Sequence, residues 1–317
     1  MISQRVRKSA MTTAFISHRD CTLHDMGRHH PESPERLRAI ENELIATGLM
    51  GQLAVYEAPL AQREQLLRVH DAEYLDAIEA AAPAMGTVHL DPDTAMNPYS
   101  YAAALRAAGA AVLATDLVMK GTVDSAFCSV RPPGHHAEHA RAMGFCIFNN
   151  VAVAAAHALD VYGIERVAVA DFDVHHGNGT EDIFRDDPRV MMVSTFQHPF
   201  YPYSGVEGRS ARMVNLPLRA HSDGPKFRKT VAAHWLPALH DFRPQVLLIS
   251  AGFDAHRDDE LAALDLTEAD YVWVTEQLKN VATQHGEGRI ISTLEGGYHL
   301  IALGRCAAAH IRCLAGA

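Results

Sequence analysis

Two carboxylates and two imidazoles stand together at residues 171–179, which read Asp-Phe-Asp-Val-His-His-Gly-Asn-Gly directly after the apolar run 167–170. In an extended segment, side chains two residues apart point to the same side, so Asp171, Asp173 and His175 would share one face. Carboxylate and imidazole together suit a divalent metal with open coordination positions, and zinc is the leading candidate. A strand end with solvated polar residues explains any one of these side chains, but the whole cluster favours a metal site.

Three further apolar segments end in polar motifs, so four strand ends carry groups capable of chemistry. The three motifs are Arg131-Pro-Pro-Gly-His135-His136, Ala251-Gly-Phe-Asp254 and Leu294-Glu295-Gly-Gly-Tyr298. Since ligands bind outside the carboxyl ends of the strands in open α/β sheets, all four ends would converge on one rim. An unpaired carboxylate at Asp254 would be costly to bury, and a metal or another cation would relieve that cost. Glu295 is interpreted as a loop- or helix-capping carboxylate without a catalytic role, and Tyr298 alone would fit a packed loop aromatic.

The segments between these motifs predict an α/β fold. The predicted strands are Ala14–Ser17, Leu53–Glu57, Ser125–Ser129, Arg166–Ala170, Val190–Ser194, Val246–Ser250 and Arg289–Thr293. The predicted helices are Pro34–Thr47, Ala72–Ala82, Ser100–Lys120, Asn150–Tyr162, Pro225–Asp241 and Thr267–Gln284. Strands separated by helices indicate right-handed βαβ units, and nearly continuous apolar strands indicate a sheet covered on both faces. We expect one domain with a mainly parallel, multi-stranded sheet flanked by helices and the site at the carboxyl ends of the strands.

The composition of the 317-residue chain is ordinary for a globular protein, with 48% hydrophobic and 21% charged residues. The net charge of −10 argues against nucleic-acid binding, and no uninterrupted apolar run approaches the roughly 18 residues of a membrane helix, so we expect neither partner. The five cysteines include no Cys-x-x-Cys pair, which fits a reducing, cytoplasmic compartment better than a disulfide framework. Residues 1–12 are interpreted as a loose tail before one catalytic domain at 13–317.

Six motifs resemble the histone deacetylase superfamily. They are His29–Leu37 near the N-terminus, then RPPGHHAE, GFCIFNN, DFDVHHGNG, SAGFD and LEGGY, in that order. The resemblance spans about residues 14–305 and is closest to the class II branch and the bacterial class II-like amidohydrolases. It implies the arginase–deacetylase fold with one catalytic zinc and a structural potassium.

The resemblance also implies roles for individual residues. The implied zinc ligands are Asp173, His175 and Asp254, and the implied catalytic residues are the tandem His135 and His136, Tyr298, and Asp171 as the partner of His135. The implied potassium site combines Asp171, Asp173, His175 and Ser194. The implied walls of a channel for the acyl-lysine chain are Phe145, Phe200 and Tyr201, although Tyr201 departs from the phenylalanine more usual in the family.

Two positions bear on the branch and the substrate. Asn178, beside the site, stands where the class I pattern has a second aspartate, and class II members carry Asn there. Leu261, seven residues after the last implied zinc ligand, occupies the position where polyamine deacetylases of the family carry Glu. That favours an acyl-lysine peptide, although Glu260 is adjacent and a one-residue shift of the loop would remove the distinction.

The chemistry of amide hydrolysis suggests how these residues would share the work. His136 is predicted to act as general base and then as acid to the lysine amine, because its neutral partner Asn178 keeps its pKa lower than a carboxylate would. His135, paired with Asp171, would stay protonated, and Tyr298 would donate its hydroxyl to the developing oxyanion. His176 is predicted to be structural. Arg36 either lies near an internal acetate exit path, by family analogy, or is an ordinary helix-surface arginine.

The predicted function is zinc-dependent removal of acetyl or other acyl groups from lysine side chains of proteins or peptides. The alternative is an amidohydrolase acting on acetylpolyamines or other small acetylated amines with the same residues. A catalytically silent acyl-lysine binding module is a third hypothesis, which the presence of a base and an oxyanion donor disfavours. Arginase-like dimetal hydrolysis is a fourth, for which the extra carboxylates are not evident. A homo-oligomer is possible.

Overall fold

The computed structural model describes residues 12–207 and 210–317. Its strands are β1 Thr13–Ser17, β2 Ala54–Glu57, β3 Val88–His89, β4 Ala95–Met96, β5 Ser125–Cys128, β6 Val167–Asp171, β7 Val190–Gln197, β8 Met213–Leu218, β9 Val246–Ala251 and β10 Ile290–Leu294. Its helices are α1 Glu35–Ala46, α2 Arg63–Leu66, α3 Ala72–Ala81, α4 Ser100–Met119, α5 Asn150–Tyr162, α6 Asn178–Phe184, α7 Gly224–Phe242, α8 Glu268–His285 and α9 Leu300–Ala315. Short 3-10 turns lie at Arg19–Thr22 and Met50–Gln52. The predicted tail at 1–12 lies, except for Thr12, outside the described residues, and its boundary stays a prediction.

Eight strands form one parallel sheet in the order β2-β1-β5-β10-β9-β6-β7-β8, and β3 with β4 forms a separate antiparallel pair. Every residue of β5, β6, β9 and β10 is buried. Strands buried on both faces read as continuous apolar runs, which is why their positions could be predicted. The predicted single-domain α/β fold with a parallel sheet flanked by helices is confirmed.

All seven predicted strands and six predicted helices are present with small shifts at their ends, but several elements were not predicted. The sheet continues to an edge strand, β8, which is only partly buried and contains Pro217. Proline is tolerated at a sheet edge, and a half-buried strand gives a weak apolar pattern. The predictions also omitted α9, which begins directly after the LEGGY motif with His299 as its N-cap, and the short helices α2 and α6.

Among the described residues, α4 is long and apolar enough by length and composition to span a membrane. It contains no uninterrupted apolar run of that length, because Arg106 and Asp116 interrupt it. In the fold, 61% of its apolar window is buried, and α4 packs against α5 and β5. The many alanines of α4 let it approach these neighbours closely, as expected of a core helix.

Candidate active site

The four polar motifs follow strands that are neighbours in the sheet. The register pairs Asp171 at the end of β6 with Ser250 of β9, and Ala251 of β9 with Leu294 of β10. In turn, Thr293 of β10 pairs with Cys128 of β5. Because parallel strands end at the same edge, the four motifs meet there, as the sequence predicts.

Asp173, His175 and Asp254 form a group whose ligand atoms all lie within 4.8 Å of one another. The Nδ1 atom of His175 lies 3.0 Å from Oδ1 of Asp173 and 3.2 Å from Oδ2 of Asp254. That Oδ2 atom is buried and accepts no hydrogen bond of good geometry. Burial and the nearby Asp173 carboxylate raise the pKa of Asp254 to about 6. Two buried carboxylates and an imidazole aimed at one point are a donor set that fits zinc.

The alternation argument for this group holds only in part. Strand β6 ends at Asp171, and residues 172–177 are irregular, so the period of two does not extend to His175. The loop is instead organised by its carboxylates, because Oδ1 of Asp171 accepts the N–H of Asp173 at 3.1 Å. Likewise, Oδ1 of Asp173 accepts the N–H of His175 at 2.9 Å. Strand alternation predicted that Asp173 and His175 lie close together, but in the structure hydrogen bonds to the loop carboxylates hold them there.

Two glycines permit the close approach of the neighbouring loops to these carboxylates. A Cβ atom at Gly252 would overlap Oδ2 of Asp173, and one at Gly296 would overlap Oδ2 of Asp254. The N–H of Gly296 also donates to Oδ2 of Asp173 at 2.8 Å. Both glycines are therefore needed where the backbone touches these carboxylates.

A second group of three potential ligands, His256, Glu268 and Cys306, also occurs in the described part of the chain. The main-chain N–H of Asp258 donates to Nδ1 of His256 at 3.1 Å, so in the neutral ring Nε2 carries the proton and is not free to bind a metal. One carboxylate oxygen of Glu268 is also paired with Arg305 at 2.9 Å. The geometry therefore favours metal binding at Asp173, His175 and Asp254.

The tandem histidines differ in their hydrogen-bond partners. Nδ1 of His135 donates to Oδ2 of Asp171 at 2.9 Å. Burial opposes charge on this ring, but Asp173 and Asp171 outweigh it and raise the pKa of His135 to about 10. Nδ1 of His136 donates to Oδ1 of Asn178 at 2.7 Å. Burial and the neighbouring rings of His135 and His175 lower the pKa of His136 well below its usual value. The surroundings thus favour the charged form of His135 and the neutral form of His136.

The orientation of the Asn178 amide is set by a further contact. Its Nδ2 donates to Oε1 of Glu138 at 2.8 Å, which leaves its oxygen facing His136. The proton of the neutral His136 ring therefore lies on Nδ1, and Nε2 can accept a proton. This is the arrangement that a general base requires.

A narrow cavity of about 180 Å³ opens at this edge of the sheet. Its lining comprises Asp93, His136, Gly144, Phe145, His175, Phe200, Tyr201, Leu261 and Tyr298. Phe200 stacks on His175 with ring centroids 5.4 Å apart, and the Tyr201 ring stands edge-on to His136 at 5.2 Å. Every predicted channel residue lies in this wall, including Leu261, whereas Glu260 is exposed and outside the lining. A larger groove of about 660 Å³, bordered by α8 and α9, contains none of the predicted site residues.

Tyr298 lies against two side chains that hold its ring. The Phe145 ring stands edge-on to it at 5.9 Å, and the Arg36 guanidinium lies 5.0 Å from its ring centre. Desolvation raises the pKa of the Tyr298 hydroxyl, so it stays protonated and able to donate a hydrogen bond. Arg36 is fully buried and donates to the main-chain oxygens of Gly297 and Glu295, so the helix-surface alternative for Arg36 is wrong.

Ser194, the residue predicted for a potassium site, pairs with Asp171 across β6 and β7. Its hydroxyl oxygen is buried and has no hydrogen-bond partner. An oxygen without a partner beside a buried carboxylate fits a cation that prefers oxygen ligands. His176, predicted to be structural, places its Nε2 atom 2.6 Å from the Glu181 carboxylate.

Two acidic residues near the site, Asp93 and Glu295, have no catalytic role in the predictions from the sequence. Asp93 lines the cavity, but the Asp-Pro-Asp stretch around it carries no distinctive signal. Glu295 is fully buried, and its Oε2 accepts the N–H groups of Gly134 at 2.7 Å and of His135 at 3.1 Å. The loop-capping interpretation of Glu295 thus agrees with its position, and the loop it caps is the one that carries the tandem histidines.

Glu32 is a buried carboxylate that accepts hydrogen bonds from two arginines, Arg36 and Arg131. Both of its oxygens accept hydrogen bonds from Arg131, and Nη1 of Arg36 donates to Oε1 at 2.9 Å. All three side chains are fully buried. These contacts connect the loop before α1 to the loop that follows β5.

Replacing Glu32 with Ala is expected to lower the free energy of unfolding by about 3–5 kcal/mol, because two buried guanidinium groups lose their counter-charge. Urea unfolding measures the change. The matched control is Glu35→Ala, whose exposed partner Arg38 lies 3.8 Å away and whose loss should cost about 1 kcal/mol or less. Equal effects of the two substitutions would contradict the importance of the buried group.

Comparisons with known proteins bear on the family of this chain. The family model described as the histone deacetylase domain matches residues 30–314. A histone deacetylase-like amidohydrolase of Pseudomonas aeruginosa is 38% identical, over 96% of this chain and 86% of its own. Polyamine deacetylase HDAC10 of Mus musculus is 35% identical, over 96% of this chain and 48% of its own. The crystal structure of the HDA15 HD domain superposes with a TM-score of 0.90 at 34% identity, covering 97% of this chain and 89% of that one. On both its sequence and its fold, the chain belongs to the histone deacetylase family.

Proposed function

We propose that this deacetylase depends on zinc and removes acetyl or other short acyl groups from lysine side chains of peptides or proteins. The observation that carries the proposal is the set of side chains that line one narrow cavity. His175 of the potential metal-binding group, His136 and Tyr298 all line the same space, and together they offer the kinds of group that amide hydrolysis requires.

Asp173, His175 and Asp254 would hold the zinc, which polarises an amide carbonyl and lowers the pKa of a water molecule. The buried Oδ2 atom of Asp254, which accepts no hydrogen bond of good geometry, supports this assignment. Three protein ligands leave positions open for substrate and water, as in catalytic zinc sites. We further propose that Asp171, Asp173, His175 and Ser194 contribute to a potassium site, supported by the buried, unpartnered hydroxyl of Ser194.

The chain's own residues would move the protons. His136 lines the cavity with an unprotonated Nε2 and would take a proton from the attacking water, then deliver it to the departing lysine amine. His135, held by Asp171, would remain an imidazolium and stabilise negative charge. The Tyr298 hydroxyl would donate a hydrogen bond to the oxygen of the former carbonyl as negative charge develops there.

The walls of the cavity support an acyl-lysine substrate. The rings of Phe145, Phe200 and Tyr201, with the aliphatic Leu261, provide a mainly apolar passage that suits the methylene chain of lysine. A second candidate substrate class, acetylpolyamines, is supported by the Asp93 carboxylate in the same lining, since it could pair with a distant ammonium group.

A comparison of substrates tests the proposal. An acetyl-lysine peptide and acetylputrescine are offered separately at matched concentrations, and kcat/KM is measured for each. We expect the peptide to be preferred. Preference for acetylputrescine would support the second candidate, and turnover of neither by a fully zinc-loaded protein would overturn both.

Substituting Leu261 with Glu is expected to shift the ratio of kcat/KM values toward acetylputrescine by about tenfold or more. The reason is that a hydrogen bond to a charged group contributes about 1.5–3 kcal/mol. The Leu261 side chain has no acceptor for the ammonium group of acetylputrescine, whereas a glutamate would have one. Leu261→Gln is the matched control, with nearly the same shape and no charge. An unchanged ratio in the Glu variant would show that Leu261 does not govern the choice of substrate.

A further inference from the structure

We infer that Asp259 is a positioning residue that holds the main chain of the Tyr298 loop in one fixed arrangement. The inference rests on the proposed function, because it assigns Asp259 an effect on the tyrosine that donates to the oxyanion. Asp259 itself does not line the cavity and touches none of the proposed metal ligands through a hydrogen bond.

Three main-chain hydrogen bonds converge on the Asp259 carboxylate. Oδ2 accepts the N–H of Tyr298 at 2.6 Å and the N–H of His299 at 3.1 Å. Oδ1 accepts the N–H of Leu261 at 3.1 Å. The side chain is only 4% exposed, so water does not readily replace these contacts. One residue thus links the backbone of the predicted oxyanion donor to the backbone of the predicted gatekeeper.

The Tyr298 loop needs such an anchor because of its own sequence. Tyr298 is preceded by Gly296 and Gly297, and Gly297 adopts a φ of 117°, a conformation open mainly to glycine. It is followed by α9, whose first N–H groups have no acceptor within the helix. A buried carboxylate supplies an acceptor at that point, and its negative charge is favoured at the N-terminal end of a helix.

The position of the Tyr298 hydroxyl depends on this backbone. Its ring contacts, Phe145 at 5.9 Å and Arg36 at 5.0 Å, restrict the side chain, but they do not fix the main chain from which it projects. A displacement of about 1 Å at a catalytic group can cost roughly 100-fold in rate. Loss of the Asp259 carboxylate should therefore affect catalysis without removing any group that contacts the substrate.

The test uses Asp259→Ala, which removes both acceptor oxygens from the three N–H groups. We expect kcat for an acetyl-lysine peptide to fall about 10- to 100-fold, with bound zinc unchanged and KM altered less than about threefold. In the Tyr298→Phe background, the same substitution should cost less than about twofold more, because the hydroxyl it positions is already absent. Equal fold losses in both backgrounds would overturn the inference.

A second measurement separates this inference from the proposed function, since it needs no turnover. Amide hydrogen exchange of Tyr298 and His299 should become at least about tenfold faster in Asp259→Ala, with the rest of the sheet unchanged. Unchanged protection of both amides would overturn the positioning role even if the wild-type protein were inactive on every substrate. Asp259→Ser, whose single oxygen has a shorter reach and cannot serve all three N–H groups, replaces the Ala variant if that variant does not fold.

The matched control is the preceding residue. Asp258 is exposed and its carboxylate lies 3.4 Å from Arg305, so Asp258→Asn removes a similar charge from the same loop without touching the Tyr298 backbone. Its kcat and its amide exchange at Tyr298 and His299 should stay within about twofold of wild type. Equal effects at 258 and 259 would show a general charge effect of the loop instead.

Discussion

Tyr298→Phe is expected to lower kcat for an acetyl-lysine peptide by about 100- to 1,000-fold, the usual cost of removing one donor to a developing oxyanion. The substitution removes one hydroxyl from a residue that lines the cavity and leaves the ring in place between Phe145 and Arg36. Because the ring contacts remain, the fold and the metal-binding group should be unaffected. The loss should therefore appear in kcat, with little change in bound zinc.

The control for this substitution is Tyr203→Phe, which removes a hydroxyl from an exposed tyrosine outside the cavity lining. Single-turnover rates and zinc content are measured for both variants. Tyr203→Phe should match the wild type, within about twofold. If Tyr298→Phe retained a rate within tenfold of the wild type, the assigned role of the hydroxyl would be wrong.

Asp254→Asn is expected to weaken zinc binding by at least about 100-fold, since changes to mere partners of metal ligands already cost 10- to 100-fold. The substitution replaces one of the two carboxylate oxygens of Asp254 with an amide nitrogen and removes one negative charge from the group. Oδ1 of Asp254 accepts the N–H of Val174 at 3.0 Å, and an asparagine oxygen can keep that bond. The fold should thus survive while metal is lost.

Metal content after dialysis against a zinc buffer, together with turnover, measures this effect. Turnover should fall in step with bound zinc and recover in part at high zinc concentration. Asp258→Asn again serves as the control, because it is a nearby exposed aspartate that should keep full zinc content. An Asp254→Asn protein that is fully zinc-loaded and active would rule out Asp254 as a ligand.

The sequence could predict those parts of the fold and site that depend on regular structure. Apolar strands such as β6 and β9 are buried on both faces, and their ends therefore mark where the polar motifs converge. The half-buried edge strand β8 has no such pattern, so it was missed. Asp173 and Asp254 each follow one of the two buried strands, so the sequence could predict that the two residues lie close together.

The rest of the site depends on contacts that no local pattern encodes. Glu32 and Arg131 are 99 residues apart in the chain and meet only in the folded protein. Asp259 reaches Tyr298 across 39 residues, from an irregular loop without a period. In the same loop, whether Leu261 or the adjacent Glu260 lines the cavity is decided by backbone geometry, and the structure places Leu261 there. Residues on irregular segments are thus the ones that sequence reasoning could not assign.

The most direct test of the central claim is the rate of acetyl-lysine peptide hydrolysis by chelator-treated protein as zinc is added back. The proposed site has one group of three ligands, Asp173, His175 and Asp254, so the rate should be close to zero without metal. It should then rise with zinc and level off at about one ion per chain. A metal-free protein that hydrolyses the peptide at the full rate would contradict zinc-dependent deacetylation at this site.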